Sequence, residues 1–185
     1  MIISERKKWE REMFIKLRDE ISYIQKEDVE KNVKLYVDLF VKENKNLGYI
    51  AIYWPLRNEV DLRSLKDDFS LALPKCKHKR ELLFYPWDEN PLTKDSEGIL
   101  SPDNSFSLSH KQISIIFVPC LSIDKNLTRL GYGGGYFDKF RGDNNWRNVP
   151  CIGVLTSNCV SSTPLTRAEW DIPLSGFITE KEIFV

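Results

Sequence analysis

Four of the chain's nine glycines fall within residues 131–135. Glycine permits positive φ, and without a β-carbon the main-chain N–H groups can approach a ligand closely. The apolar segment 113–119 predicts a buried strand before this run, and segment 136–140 predicts the start of a helix after it. A glycine loop between a strand and a helix N-terminus is typical of phosphate binding, although the same pattern also serves as a tight connection.

The residues around the glycine run favour phosphate binding over a simple connection. Arg129 precedes the run and carries a guanidinium fork suited to phosphate oxygens, while Asp124, Tyr136 and Asp138 lie close by. The chain lacks a Gly-x-x-x-x-Gly-Lys-Ser/Thr sequence, which argues against a P-loop nucleotidase. No acidic residue follows the glycines at the spacing of about twenty that dinucleotide-binding folds use for the ribose. Asp143 comes too soon for that role.

Composition predicts one ordinary globular domain. The chain has 185 residues, of which 42% are hydrophobic and 12% aromatic, enough for one full core. Lys and Arg total 27, and Asp and Glu also total 27, so no net field attracts nucleic acid or an anionic membrane. The one basic cluster, residues 75–80, is interpreted as a solvent-exposed turn, with contact to a substrate carrying several glutamates as the alternative.

The cysteine and histidine pattern argues against a Cys- or His-based metal site and against redox chemistry. Only two histidines occur, His78 and His110, without a spaced ligand partner. The cysteines form no Cys-x-x-Cys pair and are expected to be reduced thiols. Residues 1–11 are too charged for a secretory signal, and no apolar stretch is long enough to span a bilayer, so a cytoplasmic protein is expected. The four cysteines are Cys76, Cys120, Cys151 and Cys159.

Hydrophobic spacing predicts an α/β fold in a single domain, residues 1–185, with a mostly parallel or mixed central sheet flanked by helices. Two helical stripes fill the first forty-odd residues, and Asp61 is placed to cap a third helix. Residues 88–112 have the composition of a long loop with a small hairpin. The stripes are Phe14, Leu17, Ile21, Ile24 and then Val29, Val33, Tyr36, Phe40; the predicted strands are 49–54, 71–73, 81–87, 113–118, 151–155 and 177–178.

Strand order brings the candidate polar residues to one edge of the sheet. Ligands of open α/β sheets gather beyond the carboxyl ends of strands, and Glu59 follows one predicted strand while segment 124–138 follows another. Lys7 and Arg11 are four residues apart, so on a helix they share one face and can present two cations to a phosphate chain. The alternative for Lys7 and Arg11 is a solvent-exposed pair of cations, and the alternative for Glu59 is a surface carboxylate.

Four blocks of sequence resemble the 5-formyltetrahydrofolate cyclo-ligase family, also called methenyltetrahydrofolate synthetase. The block around the glycine run is specific, whereas the other three are weak alone. Together they span nearly the whole chain in the family's order. They are Lys7 with Arg11, the segment 53–61, the segment 119–124 followed by 129–138, and the segment 171–174 with 178–180.

The chain also departs from the family pattern at four positions. Cys120 stands where the family usually has Gly, and Ile123 stands where it has an aromatic residue. Phe137 replaces the second Tyr of a tandem pair, and these three changes affect packing more than charge. Trp170 stands where a His often precedes the closing Asp, so no role is carried over to that side chain.

The resemblance implies ATP-dependent cyclisation of 5-formyltetrahydrofolate to 5,10-methenyltetrahydrofolate, with release of ADP and phosphate through a phosphorylated formyl group. It implies Mg²⁺ as cofactor, ATP and a folate that can be polyglutamylated as substrates, no nucleic-acid or membrane partner, and a monomer. Core packing is an equal alternative for Tyr53. The implied residues are Lys7, Arg11, Arg129, Gly131, Tyr132, Gly133, Gly134, Gly135, Tyr136 and Asp138 for ATP; Arg129, Tyr136 and Asp138 for catalysis; Tyr53, Trp54 and Glu59 for folate; and Asp138 or Asp171 for the metal.

Two other classes of function are compatible with the same residues. A sugar-phosphate isomerase or acyl-transfer enzyme on a related sheet would use a glycine loop and Glu59, but it would need no ATP. A non-catalytic nucleotide-binding module would tolerate loss of Glu59 and Asp138 without a change in nucleotide affinity. Turnover with ATP and the folate separates these classes.

Overall fold

The computed structural model describes residues 2–103 and 106–185, beginning with two long helices. They are α1 (Ile3–Asp19) and α2 (Tyr23–Glu43), as the apolar spacing predicted. The Ser22 hydroxyl caps α2 by accepting a hydrogen bond from the Gln25 N–H at 3.2 Å. Ile24, assigned from sequence to the first stripe, instead lies in the first turn of α2 and is 67% exposed, because the capped turn at Ser22 ends the first helical period early.

Short strands and helices follow α2 in the described part of the chain. The helices are α3 (Tyr136–Gly142) and α4 (Asn144–Arg147). The strands are β1 (Tyr49–Ala51), β2 (Leu71–Lys77), β3 (Glu81–Pro86), β4 (Leu92–Lys94), β5 (Leu100–Pro102), β6 (Ile113–Pro119), β7 (Ser122–Asp124), β8 (Arg129–Leu130), β9 (Cys151–Val154), β10 (Val160–Ser161), β11 (Gly176–Ile178) and β12 (Ile183–Phe184).

Seven strands form the central sheet, in the order β12-β11-β9-β6-β1-β2-β3. The five inner strands run parallel, and the edge strands β3 and β12 pair antiparallel with their neighbours. A three-stranded sheet, β10-β7-β8, and the hairpin β4-β5 complete the described strands. The predicted mixed, mostly parallel sheet flanked by helices is confirmed.

The inner strands are apolar on both faces because each face is covered. Ile115 and Phe117 of β6 pack in the same core cluster as Val33 of α2. Ile116 and Val118, which alternate with them, belong to the cluster on the other face together with Phe14 of α1 and Phe140 of α3. Successive side chains of a strand point to opposite faces. Because both faces of β6 are buried, its consecutive residues from Ile115 to Val118 are all apolar.

Two predicted elements are shorter than the sequence pattern indicated. The segment 49–54 pairs as β1 only to Ala51, and the Ile52 N–H adds one further bond to the Ala72 carbonyl at 2.9 Å. Pro55 then ends the extended run. The helix expected after Asp61 is a single 3₁₀ segment, Arg63–Asp67. The hairpin expected within residues 88–112 is β4-β5, while residues 104 and 105 lie outside the described part.

The sheet order creates a crevice between β1 and β6. The chain leaves β1 towards β2 on one side, and leaves β6 towards β9 on the other. At such a switch point the two connections diverge and leave a crevice beyond the carboxyl ends of the strands. Residues 52–60 and 120–138 therefore meet at this edge of the sheet.

Asp124 holds the approach to the glycine loop together as a structural residue. Its carboxylate accepts hydrogen bonds from the N–H groups of Asn126 and Thr128 at 2.9 Å and of Leu165 at 2.8 Å, and the residue is 1% exposed. It does not line the pocket described below. The sequence argument had grouped Asp124 with the phosphate-loop residues, but the buried N–H groups around it explain its position.

We expect Asp124→Ala to lower the free energy of unfolding by about 2–4 kcal/mol, because buried N–H groups lose their acceptor. Urea unfolding followed by circular dichroism measures this change. Asp28→Ala is the matched control, since Asp28 pairs with Lys31 on the surface of α2, and it should change stability by less than about 0.5 kcal/mol. Equal effects of the two substitutions would contradict the role given to Asp124.

Candidate active site

A pocket of about 250 Å³ lies at the carboxyl ends of β1 and β6. Its walls come from α1, the segment after β1, strand β2, the β4-β5 hairpin and the glycine loop. Every site residue that the family resemblance implies lines it, and these residues come from segments far apart in the chain. They are Lys7 and Arg11; Tyr53, Trp54 and Glu59; and Arg129, Gly131, Tyr132, Gly133, Gly134, Gly135, Tyr136, Asp138 and Asp171.

The glycines of the loop differ in what they require. Gly133 and Gly135 have φ of 97° and 73°, the left-handed region that favours glycine. Gly131 and Gly134 do not have positive φ, so the conformational freedom expected there is not used. A β-carbon at Gly131 would lie 2.8 Å from an Arg129 nitrogen, and one at Gly134 would lie 3.1 Å from the Tyr136 ring. Those two glycines make room for neighbouring side chains.

Arg129 enters the pocket from β8 with its side chain only 12% exposed. One guanidinium nitrogen donates to the Pro119 carbonyl at 2.8 Å, which fixes the side chain to the end of β6. A second nitrogen lies 4.0 Å from Asp138 Oδ1, and the guanidinium carbon lies 4.9 Å from the centre of the Phe137 ring. Arg129 is thus held by β6 and α3, with its charge directed to the glycine loop.

Lys7 and Arg11 reach the pocket from one face of α1, as their spacing predicted. Arg11 donates from Nε to the Gly131 carbonyl at 2.9 Å. Lys7 forms a short ion pair with Asp171, which also accepts a hydrogen bond from the Ala168 N–H at 2.7 Å. Asp171 is 7% exposed, so α1 is tied to both the glycine loop and the closing segment by charged groups.

Tyr136 and Asp138 lie in the first turn of α3. The Tyr136 hydroxyl donates to Glu97 Oε1 at 2.5 Å, across the mouth of the pocket from the β4-β5 hairpin. The hydrogen bond to Glu97 raises the pKa of the Tyr136 phenol. Asp138 keeps 38% of its side chain exposed.

Glu59 is the most buried carboxylate of the pocket, with its side chain 1% exposed. Oε2 accepts a hydrogen bond from the Leu56 N–H at 2.8 Å, whereas Oε1 is buried with no hydrogen-bond partner. The nearest cation is Arg18, whose guanidinium nitrogen lies 3.8 Å from Oε1. Burial raises the pKa of Glu59, and the Leu56 N–H, Arg18 and Arg129 oppose that rise. An unpaired buried acceptor that faces a pocket is suited to a ligand N–H donor.

Tyr53 and Trp54 both line the pocket but are anchored elsewhere. Tyr53 is 3% exposed, and its hydroxyl donates to the Val60 carbonyl at 2.8 Å. Trp54 packs edge-on against Trp87 at 6.0 Å, with the Arg63 guanidinium 4.7 Å from its ring centre. Tyr53 belongs to the core and also holds the segment that carries Glu59, so core packing is confirmed for this residue, whereas its contact with folate stays a prediction.

The basic cluster at residues 75–80 is divided between two surfaces. Strand alternation turns Lys75 and Lys77 away from the pocket, where each lies 5.9 Å from the Tyr85 ring, and Lys75 pairs with Asp103 at 2.8 Å. Arg80 lies in the exposed turn beside Gly135, so only the end of the cluster approaches the glycine loop.

Two residues of the site were not recognised from sequence. Arg18 follows Arg11 by seven residues, the spacing that returns to the same helix face, and this signal was available. Glu97 lies in the turn between β4 and β5, a segment without hydrophobic periodicity, so no sequence signal placed it beside Tyr136.

The donor set of the pocket fits a magnesium ion that is shared with phosphates. Asp138 and Asp171 both line the pocket, and Mg²⁺ typically takes one or two carboxylates together with phosphate oxygens and waters. Within residues 2–103 and 106–185, no cluster of three or more His, Cys, Asp or Glu side chains is placed to hold a metal alone.

No thiolate nucleophile is available in the pocket near neutral pH. All four cysteines are free, and burial together with the Asp95 charge raises the pKa of the pocket-lining Cys76 to about 12. Burial raises the pKa of Cys120 to about 11.

None of the helices among the described residues has the length and apolar character needed to cross a membrane.

Known proteins resemble this chain in sequence and in fold. The curated 5-formyltetrahydrofolate cyclo-ligase of Haemophilus influenzae is 29% identical over 171 residues, covering 86% of this chain and 89% of that protein. The enzyme of that name from Mycoplasma pneumoniae is 25% identical, and the match covers 92% of this chain and 96% of that protein. The NMR structure of Aquifex aeolicus 5,10-methenyltetrahydrofolate synthetase superposes with a TM-score of 0.76 at 28% identity, covering 99% of this chain and 92% of that one.

A second solved structure supports the fold alone, because its identity is 23%. It is the 5,10-methenyltetrahydrofolate synthetase from Mycoplasma pneumoniae, with a TM-score of 0.71 over 94% of this chain and 98% of that one. A model of the 5-formyltetrahydrofolate cyclo-ligase family matches residues 3–180, which confirms the resemblance drawn from the sequence. Since that match spans nearly the whole chain, the protein belongs to the 5-formyltetrahydrofolate cyclo-ligase family.

Proposed function

We propose that the protein converts 5-formyltetrahydrofolate and ATP into 5,10-methenyltetrahydrofolate, ADP and phosphate in the pocket between β1 and β6. Family membership makes it a ligase and removes the isomerase, acyl-transfer and binding-module alternatives. The observation that carries the assignment to this pocket is the meeting of a glycine loop, three cations and a buried carboxylate with one oxygen that has no hydrogen-bond partner. We further propose that the protein works as a monomer in the cytoplasm.

The ATP phosphates are assigned to the side of the pocket formed by the glycine loop. Arg129, Lys7 and Arg11 supply positive charge from two elements, and the left-handed residues Gly133 and Gly135 leave the backbone open to close approach. We assign the Tyr136 hydroxyl to orient the phosphate chain, which requires its hydrogen to turn from Glu97 Oε1 to a phosphate oxygen when ATP binds.

The folate is assigned to the side formed by the segment after β1. Glu59 Oε1 is assigned to accept N–H donors of the pterin or of the reacting amine, because it is buried and has no hydrogen-bond partner in the protein. Trp54 and Leu56 supply apolar contact for the ring. The two substrates then enter from neighbouring strand ends and meet between them.

The reaction requires a better leaving group than a formamide oxygen. That oxygen attacks the γ-phosphorus of ATP, forming an O–P bond as the bond to ADP breaks, which gives an iminium phosphate. The neighbouring folate amine then attacks the formyl carbon, loses its proton, and phosphate departs with the C–O electron pair. The protein contributes positioning and charge stabilisation, so a side-chain nucleophile is unnecessary.

Asp138 and Asp171 are proposed to hold Mg²⁺ on the phosphate side of the pocket, where the ion neutralises phosphate charge when bound. Asp138 is the more open of the two, whereas Asp171 is already engaged by Lys7 and Ala168. We therefore assign the principal contact, direct or through water, to Asp138.

Turnover tests the proposed function. The protein is incubated with 5-formyltetrahydrofolate, ATP and Mg²⁺, and methenyl absorbance is followed together with ADP release. We expect one ADP for each methenyl product and no product without ATP. Methenyl formation at an equal rate without ATP, or ADP release independent of the folate, would contradict the assignment.

We expect Asp138→Asn to lower turnover, with partial recovery at raised Mg²⁺, because the substitution keeps size but removes a charge that attracts the ion. The measurement is the rate of methenyl formation as a function of Mg²⁺ concentration. Asp171→Asn is the comparison variant, and it should lose activity without recovery because its contacts with Lys7 and Ala168 are structural. Recovery by Asp171→Asn alone would reverse the assignment.

Gly133→Val is expected to weaken ATP binding by about tenfold, because it places a β-branched residue at φ of 97°. Its β-carbon would also lie 3.3 Å from the Arg11 guanidinium carbon. Gly142→Val is the matched control, since φ is not positive there and no atom lies within 4 Å of a β-carbon. Calorimetric titration of ATP measures both; equal affinities would show that the loop is only a connection.

A further inference from the structure

Arg18 contacts both sides of the pocket from the buried face of α1. Nε donates to the Asn58 carbonyl at 3.0 Å, and one terminal nitrogen donates to the Tyr132 hydroxyl at 2.8 Å. The other terminal nitrogen lies 3.8 Å from Glu59 Oε1. The three partners belong to the segment after β1 and to the glycine loop, and Arg18 itself is 6% exposed.

The segment that Arg18 holds is strained at one residue. Asn58 has φ of 64°, an uncommon conformation for a residue with a side chain. Its carbonyl is fixed by Arg18, and its side-chain amide donates to Asp19 at 2.6 Å. Consecutive residues of α1 therefore hold the turn that presents Glu59 to the pocket.

Guanidinium geometry suits this task better than an ammonium. A planar fork can serve three acceptors in fixed directions, whereas a lysine presents a single point of charge. The cation also lies beside a carboxylate oxygen that has no other protein partner. Arg18 balances the charge of Oε1 without donating a hydrogen bond to it, so under the proposed function the substrate supplies that donor.

We propose that Arg18 is a positioning residue that fixes Glu59 and Tyr132 relative to each other. It thereby aligns Glu59, the contact assigned to the folate, with the glycine loop. The inference rests on the proposed function, because it takes Glu59 as the contact for the folate. Arg18 itself touches neither substrate, and its effect passes through Glu59 on one side and Tyr132 on the other.

Loss of Arg18 has a defined consequence for pH dependence. Burial raises the pKa of Glu59, and the charges of Arg18 and Arg129 hold it down. Glu59 accepts donors as a carboxylate, so folate affinity falls as pH drops through that pKa. Without Arg18 the pKa rises further, and affinity is lost at a higher pH. Tyr53, Tyr132 and Cys120 also face Glu59, and their pKa values are raised above ordinary values that are already high. These three groups therefore stay neutral between pH 5.5 and 8.5, because that range ends about one unit or more below their pKa values.

The test compares Arg18→Gln and Arg18→Lys with Arg6→Gln, an exposed arginine of α1 that lies 3.7 Å from Glu10. Monoglutamyl 5-formyltetrahydrofolate is titrated calorimetrically from pH 5.5 to 8.5 in the absence of ATP, and thermal unfolding reports the folded fraction. We expect Arg18→Gln to weaken folate binding about tenfold at neutral pH and to move the acid loss of affinity upward. Arg18→Lys should bind severalfold more weakly with a smaller displacement, and Arg6→Gln should match wild type.

Several results overturn the proposal. Wild-type affinity in both Arg18 variants overturns it, and so does a loss by the same factor at every pH, which is what a purely structural role gives. If Arg18→Gln does not fold, an Arg18→Lys profile identical to wild type still refutes it. If the wild-type protein does not bind the folate, the proposed function is refuted instead. If wild type binds the folate, Glu59→Gln binds it more weakly and Arg18→Gln binds it as wild type does, only this inference is refuted.

Discussion

Arg129→Ala is expected to lower kcat/KM for ATP by about a hundredfold or more, the largest single effect in the pocket. The substitution removes a pre-positioned cation where phosphoryl charge develops, and such groups typically contribute at least this much. The side chain is 12% exposed and tied to the Pro119 carbonyl, so its position is already set before substrate binds. Steady-state kinetics with ATP as the varied substrate measures the loss.

Arg129→Lys separates charge from geometry. A lysine keeps the positive charge but cannot donate to Pro119 and to a phosphate in the same fork, so we expect an intermediate loss. Arg6→Ala is the control for removing an arginine from the surface and should retain wild-type kinetics. Unchanged kinetics in a folded Arg129→Ala protein would remove Arg129 from the phosphate site.

Glu59→Gln is expected to weaken folate binding by about tenfold or more while leaving ATP binding unchanged. The amide keeps the shape of the side chain but removes the charge that strengthens hydrogen bonds from N–H groups, a contribution of about 1–3 kcal/mol. Glu59 lies on the β1 side of the pocket, and the proposed phosphate cations surround the glycine loop. Calorimetric titration of each substrate alone measures the two affinities.

The matched control is Glu180→Gln. Glu180 accepts hydrogen bonds from the N–H of Ser157 at 2.8 Å and from its hydroxyl at 2.5 Å, and it does not line the pocket. We expect wild-type folate affinity in this variant. An ATP defect in Glu59→Gln as large as the folate defect, or no folate defect, would remove Glu59 from the folate site.

The sheet was predictable because burial leaves a strong pattern in sequence. The continuous apolar run of β6 reflects cover on both faces, and the order of Glu59 and Arg129 along the chain placed both at one edge of the sheet. Lengths were less predictable: β1 ends at Ala51 although the apolar run continues to Trp54, because the chain turns from its neighbours into the pocket wall.

Individual roles inside the site were harder to predict because they depend on contacts between distant segments. Arg18 had the right spacing on α1, but a helical arginine is usually exposed, and its partners follow it by at least forty residues. Glu97 lies in the turn of the β4-β5 hairpin, and although a small hairpin was predicted in this segment, its polar sequence does not show which residue of it faces Tyr136. Nothing in the glycine run distinguishes the left-handed Gly133 from Gly134, since that depends on where Arg11 and Tyr136 pack.

The fate of the formyl oxygen tests the central claim most directly. 5-Formyltetrahydrofolate labelled with ¹⁸O in its formyl group is converted by the protein with ATP and Mg²⁺, and the released phosphate is analysed by mass spectrometry. If that oxygen attacks ATP, each methenyl product is accompanied by one ADP and one phosphate that carries the label. Unlabelled phosphate with the label in water, or methenyl formation without ADP, would contradict phosphorylation of the formyl oxygen.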